Sequence, residues 1–374
     1  MKGIITYLKP RIRLLIFIPV LLSWVVQSCG GVHGETRVKT NDVLRDLAFF
    51  VILDTYQQLE QRGQNLQSAI EALAENITPE NVTAARQAWR ATRQPWESSE
   101  GFLIGPVETD GIDPSIDSWP VDTTGIQAVL ASNNDLTPEF VSFLDGTLKG
   151  YHTIEYILFT NGGDSASAEA VAGYLNSNPK AVQFLHSLIV DFNEQVSSLV
   201  FSWTPGEGGY ADELANAGQG SAVYPTLKAG LTEVVNGILG IAEEVGNEKL
   251  NVPFSEQNPV FVESRFSSNS ITDFINNITS IEKIYFGLNG GLALDDIVED
   301  INAPVNDDVQ NAINEAIDAI HEIPEPYNES LLDPALAPVI QNAVDKVGAL
   351  LIVLQEEVFP IMFPGGDRPP VDET

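Results

Sequence analysis

Apolar residues recur at intervals of three and four along much of this chain, and this spacing limits it to helical folds. Such a series places its members on one face of an α-helix, where they pack against neighbouring helices. The series are Leu59, Leu66, Ile70 and Leu73; Val182, Leu185, Ile189, Phe192, Val196 and Leu199; Ile271, Phe274, Ile278, Ile281 and Tyr285; and Ile340, Val344, Val347, Leu351, Leu354 and Val358. We find no convincing run of alternating strands. The sequence therefore predicts an all-α protein of packed helical bundles.

The length of 374 residues exceeds what one hydrophobic core usually needs, which favours two domains. We expect four-helix-bundle-like domains over residues 43–250 and 251–374, divided within a mild break at 246–258. Two stronger breaks, rich in glycine and proline, occupy residues 104–125 and 202–220. The first is also acidic, and a loop of that length inside a domain is usually functional or disordered. Trp119 in its middle indicates order, because so large a ring is normally packed.

Residues 1–28 have the features of a bacterial lipoprotein signal peptide. A basic region precedes the apolar run 14–26, which is too short and too interrupted for a confident membrane span. Cys29, the only cysteine of the chain, follows directly and is the expected lipidation site. Residues 29–42 would then be a tether, and the protein would lie in the cell envelope, on the periplasmic or surface face of the outer membrane. The alternative is an ordinary signal peptide with an incidental cysteine.

The chain is strongly acidic, with 52 acidic and 19 basic residues and a formal net charge of -33. This balance excludes nucleic acid as a partner, because binding to phosphates requires clustered lysine and arginine. Solubility is the ordinary consequence of such a charge, and attraction of cations is a functional one. The membrane contact that we expect is through the lipid anchor alone.

The apolar segment Gly150–Phe159 contains a histidine and a glutamate that need a reason to be buried. On a helix, residues three apart share a face, so His152 and Glu155 project together. An imidazole beside a carboxylate can bind a metal or exchange protons, or the two groups can simply form a hydrogen bond with each other. Gly150 lacks a side chain, which allows another backbone or a ligand to approach the start of this helix.

Residues 81–105 read as one helix with many aromatic and charged side chains. Trp89, Arg93, Trp96 and Glu100 share one face, and Arg93 and Glu97 form a pair with i, i+4 spacing. Core aromatics and a modest intrahelical ion pair account for most of this pattern. They do not account for Glu100, because a carboxylate on an apolar face needs a cation, a metal or a hydrogen-bond donor.

Several motifs together resemble the imelysin family, which is also classed as a peptidase family because of its GxHxxE motif. In chain order they are Arg86-Gln-Ala-Trp89, Arg93-Gln-Pro-Trp-Glu97-Ser-Ser-Glu100-Gly-Phe102, Ile116-Asp117-Ser-Trp119-Pro120-Val-Asp122, Gly150-Tyr151-His152-Thr-Ile-Glu155, and Glu263-Ser264-Arg265-Phe266 continuing to Asp273. The resemblance covers residues 45 to 360, approximately. It implies two helical bundles related by an apparent duplication, with the GxHxxE site near their junction. It also implies a bacterial periplasmic or surface protein of a kind that is often a lipoprotein and often iron-regulated.

The resemblance and the spacing of the motifs indicate which residues of this chain form its site. His152 and Glu155 are the central pair, and with Glu100 and Glu97 they form the expected metal ligands. The further site candidates are Arg93, Asp117, Trp119, Asp122, Gly150, Tyr151, Ser264 and Asp273. One histidine among several carboxylates is a hard, oxygen-rich ligand set, which suits iron, manganese or calcium better than a tight zinc site. Because the resemblance also implies iron regulation, iron is the favoured metal, ahead of haem or zinc.

Three functions are compatible with these residues. The first is a lipid-anchored protein that binds an iron ion or a small iron-bearing ligand for uptake, with an outer-membrane transporter as a candidate partner. The second is a metallopeptidase in which Glu155 or Glu100 acts as general base, although the HExxH motif is absent and the family label alone supports an enzyme. The third is a module that binds a ligand or partner without a metal. In it, Arg93, His152 and Glu155 would lie beneath a cleft lined by Trp96, Trp119 and Tyr151.

Overall fold

Long helices carry most of the fold. The computed structural model describes residues 39–206 and 209–365. The principal helices are α1 (Asp54–Glu75), α2 (Pro79–Glu97), α3 (Gly150–Phe159), α4 (Pro179–Trp203), α5 (Leu227–Glu243), α6 (Ser270–Phe286), α7 (Pro304–His321) and α8 (Ala337–Val353).

Shorter helices join these long ones. The α-helical segments are Thr40–Asp46, Pro106–Thr109, Ile112–Ile116, Thr123–Ala131, Pro138–Ser142, Ala168–Ser177, Tyr210–Ala215, Val252–Glu256, Leu294–Asn302, Tyr327–Ser330 and Phe359–Met362. Leu47–Leu53, Glu244–Asn251 and Leu354–Val358 are π-helical, and Glu100–Phe102, Gly146–Leu148 and Pro259–Phe261 are 3₁₀ turns. Within the described ranges the chain forms no strand, and an isolated bridge joins Thr160 to Ser165. The all-α prediction is confirmed.

The apolar series of the sequence form the core, as their spacing indicates. The series on α1, α4 and α6 are buried almost throughout, with Val182 partly exposed at the start of α4. On α8, Val344 and Leu351 are half-buried and Ile352 is exposed. Residues Ala337–Met362 are long and apolar enough to cross a membrane by length and composition, but the inner face of α8 packs against α5 and α7.

The long helices pack in two sets, and α2 and the turn Glu100–Phe102 that follows it contact the second set. α1 to α4 pack against one another, α5 to α8 do the same, and α2 contacts α6 between the sets. Gly101 supports this contact, because its amide donates to Ser280 Oγ at 2.8 Å. The second set starts at Leu227, ahead of the expected boundary at residue 250, and residues 38–374 group as one compact unit. The division into two domains stays a prediction.

Several segments differ from their expected local structure. The expected loop 104–125 contains two short helices, which leaves 117–122 as its irregular part, and the expected break at 246–258 is helical as far as Glu256. The break at 202–220 also carries the helix Tyr210–Ala215. The expected single helix 81–105 ends at Glu97, where Ser98 leaves the helical conformation. The signal peptide, Cys29 and most of the expected tether lie outside the described residues.

Candidate functional site

Gly150 places α3 directly against the segment that precedes Asp117. Its φ angle of 71° lies in the left-handed region, and a Cβ at this position would overlap the carbonyl oxygen of Ile116. Only glycine combines this backbone angle with such a close approach. The expected approach of another backbone to Gly150 is confirmed, and it brings His152 next to Asp117.

His152 and Glu155 are buried and in contact, as their spacing on the helix predicts. Nδ1 of His152 lies 3.1 Å from Oε2 of Glu155. The second oxygen of Glu155 accepts the backbone amides of Phe266 at 3.0 Å and Ser267 at 2.8 Å. Glu155 therefore orients the imidazole and also ties α3 to the segment 262–269.

The other ring nitrogen of His152 faces two carboxylates that do not complete a hydrogen bond with it. Nε2 lies 3.1 Å from Oδ1 of Asp117 and 3.5 Å from Oε1 of Glu263, yet it is buried without a hydrogen-bond partner. Ligand atoms of these three residues all lie within 4.8 Å of one another. Although burial opposes it, contacts with Asp117, Glu155 and Glu263 raise the pKa of His152 well above its usual range. Either a proton on Nε2 or a cation between His152, Asp117 and Glu263 is compatible with these distances.

Arg93 is fully buried and holds the carboxylates of this site together. Its guanidinium contacts Glu97 and Asp117, and Nη2 lies 2.9 Å from Oε1 of Glu263 and 3.2 Å from Oδ2 of Asp273. The planar, multiply donating guanidinium suits such a role, because it binds several carboxylate oxygens at fixed angles. Arg93 therefore fixes the spacing of Asp117 and Glu263, the two carboxylates that face His152.

Lys249 supplies the second buried permanent cation of the site. Its Nζ lies 2.9 Å from Oε2 of Glu263 and 3.4 Å from Oε1 of Glu244, whose side chain is 38% exposed. Although burial opposes it, Lys249, His152 and Arg93 lower the pKa of Glu263 well below its usual range. Glu263 is thus a permanently charged carboxylate at neutral pH.

Negative charge exceeds positive charge at this site. Two fully buried cations, Arg93 and Lys249, lie among the carboxylates, and the half-buried Arg90 and Arg265 act on Glu155 from outside. The six carboxylates at the centre are Glu97, Glu100, Asp117, Glu155, Glu263 and Asp273. Burial raises the pKa of Glu97 and of Glu100 well above the usual range. Bound protons or a bound cation must offset the excess, because unpaired buried charge is strongly unfavourable.

Several predicted residues hold the charged side chains of the site in place through hydrogen bonds and ring contacts. Trp96 donates to Oδ2 of Asp117 at 2.5 Å, and Ser264 donates to Oδ2 of Asp273 at 2.5 Å. Tyr151 donates to the carbonyl of Thr92 at 2.9 Å, and its ring lies 4.9 Å from the guanidinium carbon of Arg93. Trp96 and Tyr151 are fully buried, so the expectation that they line a cleft is wrong.

A small pocket reaches the site from the surface. Its wall is formed by Trp119, Pro120, Val121, His152, Glu155, Val260, Val262, Ser264, Arg265 and Phe266. Trp119 is held by a hydrogen bond of 2.9 Å from Nε1 to the carbonyl of Phe261. The expectation of an ordered Trp119 beside the site agrees with this placement.

The structure brings most of the predicted site residues together, with a different grouping from the expected ligand set. Glu155 contacts Nδ1 of His152, whereas Asp117 and Glu263 face Nε2 on the other side of the ring. Glu97 and Glu100 form a neighbouring group with Asp117, whose ligand atoms also lie within 4.8 Å of one another. Asp122 lies apart, because it is exposed and caps the helix Thr123–Ala131 by accepting the amide of Gly125 at 2.8 Å.

Two functional residues were absent from the predicted set. Glu263 opens the motif that also supplied Ser264, so its position beside a predicted residue was a signal for it. Lys249 lies in the stretch 246–258 that composition indicated as a break, and no sequence pattern linked it to the site.

Comparisons with known proteins agree with this architecture. The model of the imelysin family matches residues 52–354. Iron-regulated protein A of Synechococcus elongatus is 28% identical over 358 residues, which cover 92% of this chain and 95% of that protein.

Two crystal structures share the fold. One, described as an iron-regulated protein A precursor from Parabacteroides distasonis, has a TM-score of 0.75 and 24% identity. The other is an imelysin-like protein from Psychrobacter arcticum, with a TM-score of 0.63 and 15% identity. Each comparison covers 86% of this chain and 95% of the other. The family resemblance of the sequence is confirmed: this chain belongs to the imelysin family.

Proposed function

We propose that this protein binds an iron ion as cargo between Asp117, His152 and Glu263, in an iron-uptake role. The observation that carries the proposal is the buried Nε2 of His152, which faces two carboxylates without forming a hydrogen bond. Histidine that binds a metal commonly donates its other ring N–H to a carboxylate, and Glu155 is placed to accept it at Nδ1.

The chemistry of the donor set supports iron. Two carboxylate oxygens and one imidazole suit ferrous or ferric iron and manganese, and they leave coordination positions open for other ligands. The excess of negative charge around His152 favours a cation, and Arg93 already holds two of the three ligands at fixed spacing. The name of the relative from Synechococcus elongatus, an iron-regulated protein, points in the same direction.

Glu155 is poorly suited to the role of a peptidase general base. One of its oxygens accepts two backbone amides and the other contacts His152, so neither is free to take a proton from water. These contacts count against the form of the peptidase alternative in which Glu155 is the general base. We further propose that lipidation of Cys29 holds the protein in the cell envelope; incorporation of labelled palmitate that persists in Cys29→Ser would exclude it.

Metal binding to the full chain tests the proposal. Protein purified without chelator is reloaded with Fe²⁺ under anaerobic conditions or with Mn²⁺, and stoichiometry and affinity are measured by elemental analysis and calorimetry. We expect about one ion per chain and a loss of affinity of about 100-fold in Asp117→Asn and Glu263→Gln.

Asp122→Asn is the matched control. It removes a carboxylate five positions from Asp117, outside the site, and asparagine is an equally good helix cap. Its affinity should equal that of the wild type. Absence of both metals from folded wild-type protein would overturn the proposal, as would undiminished binding in Asp117→Asn and Glu263→Gln.

A further inference from the structure

Arg265 is a half-buried cation in the wall of the pocket that reaches His152. Within the described parts of the chain it forms no hydrogen bond or ion pair, and its guanidinium carbon lies 4.6 Å from the centre of the Phe266 ring. The fully buried cations of the site, Arg93 and Lys249, are bound to carboxylates. Burial lowers the pKa of Arg265, and the charge of Glu155 acts on it only from a distance, without an ion-pair contact.

The backbone that carries Arg265 is anchored on both sides. Glu263 is bound by Arg93 and Lys249, and Ser264 donates to Asp273. Beyond Arg265, the amides of Phe266 and Ser267 donate to Glu155. The guanidinium therefore projects from a fixed segment, so a ligand would bind it with little loss of backbone freedom.

The pocket suits a small anion with oxygen donors. Arginine binds carboxylates through two parallel hydrogen bonds, and the apolar neighbours Trp119, Val260 and Val262 strengthen such a contact by excluding water. The enclosed space of the pocket is about 10 Å³, close to what a single water molecule needs, so a bound anion would extend into its open mouth. An anion bound here would also lie beside the imidazole that holds the metal.

We propose that Arg265 binds a small carboxylate or carbonate anion that is also a ligand of the metal at His152, so that the cargo is a metal–anion complex. This inference rests on the proposed function, since it requires the metal. In this arrangement the carboxylates of Asp117 and Glu263 bind the metal ion, and Arg265 binds the anion that accompanies it. Affinities for the two must then be coupled, each strengthening the other.

Calorimetric titration of the full chain with Mn²⁺ in chloride buffer, with and without sodium bicarbonate or sodium acetate, tests this coupling. We expect one of the anions to raise the Mn²⁺ affinity of the wild type by about tenfold, which is typical of coupled sites. Bicarbonate alone acting would identify carbonate as the anion, and acetate alone an organic carboxylate. In Arg265→Ala the enhancement should disappear, while Mn²⁺ affinity without either anion should fall by no more than about threefold, because three protein ligands remain.

Arg62→Ala, an exposed arginine on α1, is the matched control and should keep the full enhancement. Equal enhancement in Arg265→Ala would overturn the inference, as would Mn²⁺ binding to the wild type that neither anion affects. In both of these cases the metal site itself stands. Absence of any metal binding by the wild type would overturn the proposed function and this inference together.

Discussion

At the level of single residues, Arg93 determines whether the buried carboxylates of the site can remain charged. It contacts Glu97, Asp117, Glu263 and Asp273 and is itself fully buried. Removing one member of a buried ion pair leaves an uncompensated charge, whose cost is far greater than the net benefit of the intact pair. This asymmetry leads to a direct prediction.

We expect Arg93→Met to lower the free energy of unfolding by about 3–5 kcal/mol, because four carboxylates lose their common partner. Urea unfolding at pH 7 followed by circular dichroism measures the change. Arg62→Met, at an exposed position on α1, should stay within about 0.5 kcal/mol of the wild type. A loss below about 1 kcal/mol in Arg93→Met would mean that the carboxylates take up protons at little cost.

Lys283 gives a second prediction at this scale, through its effect on stability as pH changes. Burial lowers its pKa to about 8, and its Nζ donates to Ser98 Oγ at 2.6 Å. Between pH 8 and 10.5 the unfolded chain holds a proton on this lysine that the folded chain has released, so folding becomes more favourable as pH rises. The shift corresponds to at most about 3.4 kcal/mol, and partial exposure reduces this to about 1 kcal/mol.

The measurement is the difference in unfolding free energy between wild type and Lys283→Met at pH 7.5 and pH 10. We expect the wild type to gain about 1 kcal/mol relative to the variant over this range. Lys346→Met is the control, because Lys346 is exposed and pairs with Glu315 at the surface, and it should show no such gain. A constant difference for Lys283→Met would show that its amine stays protonated in the folded protein.

At the level of elements, the position of α3 depends on one glycine. Alanine at residue 150 would need a left-handed backbone and would overlap the carbonyl of Ile116. We expect Gly150→Ala to lower the free energy of unfolding by about 2–3 kcal/mol and to weaken metal binding, because His152 would move relative to Asp117. Urea unfolding and Mn²⁺ calorimetry measure the two effects.

Gly173→Ala is the matched control for this substitution. Gly173 is exposed within the helix Ala168–Ser177, and nothing lies near the position of its missing Cβ. Alanine there should raise the free energy of unfolding by about 0.4–1 kcal/mol, chiefly by restricting the unfolded chain. Equal stability of Gly150→Ala and wild type would show that α3 can shift without loss.

The part of the site that lies on a single helix could be predicted from the sequence. The contacts of His152 with Glu155 and of Arg93 with Glu97 follow from spacings of three and four. Asp117 and Glu263 meet His152 only because separate segments fold over α3, and no helical period links residues so far apart. The role of Asp122 was within reach, because an aspartate immediately before a helix is a common N-cap.

Misplaced boundaries came mainly from proline. Pro253 lies within the helical run 244–256, where a break was expected. In the expected loop 104–125, Pro106 lies at the first turn of a short helix. Proline is favoured there, because the amide that it lacks would have no helical partner. Pro95 lies in the last turn of α2, which ends at Glu97 rather than continuing to residue 105. Apolar periodicity was thus a better guide to helices than the distribution of proline.

At the level of the whole molecule, the net charge of -33 opposes folding through repulsion across the surface. Dissolved salt screens exposed charges beyond a distance of about 10 Å at 0.1 M, whereas it acts much less on buried groups such as Arg93 and Glu263. Salt should therefore stabilise the folded chain through its surface and leave the site nearly unchanged. The two contributions can be separated by experiment.

We expect the thermal midpoint of the metal-free protein to rise by several degrees as NaCl increases from about 10 to 300 mM, because screening weakens the surface repulsion. Differential scanning calorimetry measures the rise, and choline chloride at equal ionic strength should reproduce it if no specific sodium site is involved. The thermal midpoint of Asp117→Asn should rise with salt as much as that of the wild type, because residue 117 lies in the buried site and not on the surface. In 300 mM NaCl, Mn²⁺ at about 100 times its dissociation constant should still raise the free energy of unfolding of the wild type by about 2.7 kcal/mol. The same Mn²⁺ concentration should have little effect on Asp117→Asn. A midpoint that stays constant or falls with salt would mean that favourable surface ion pairs outweigh the excess negative charge.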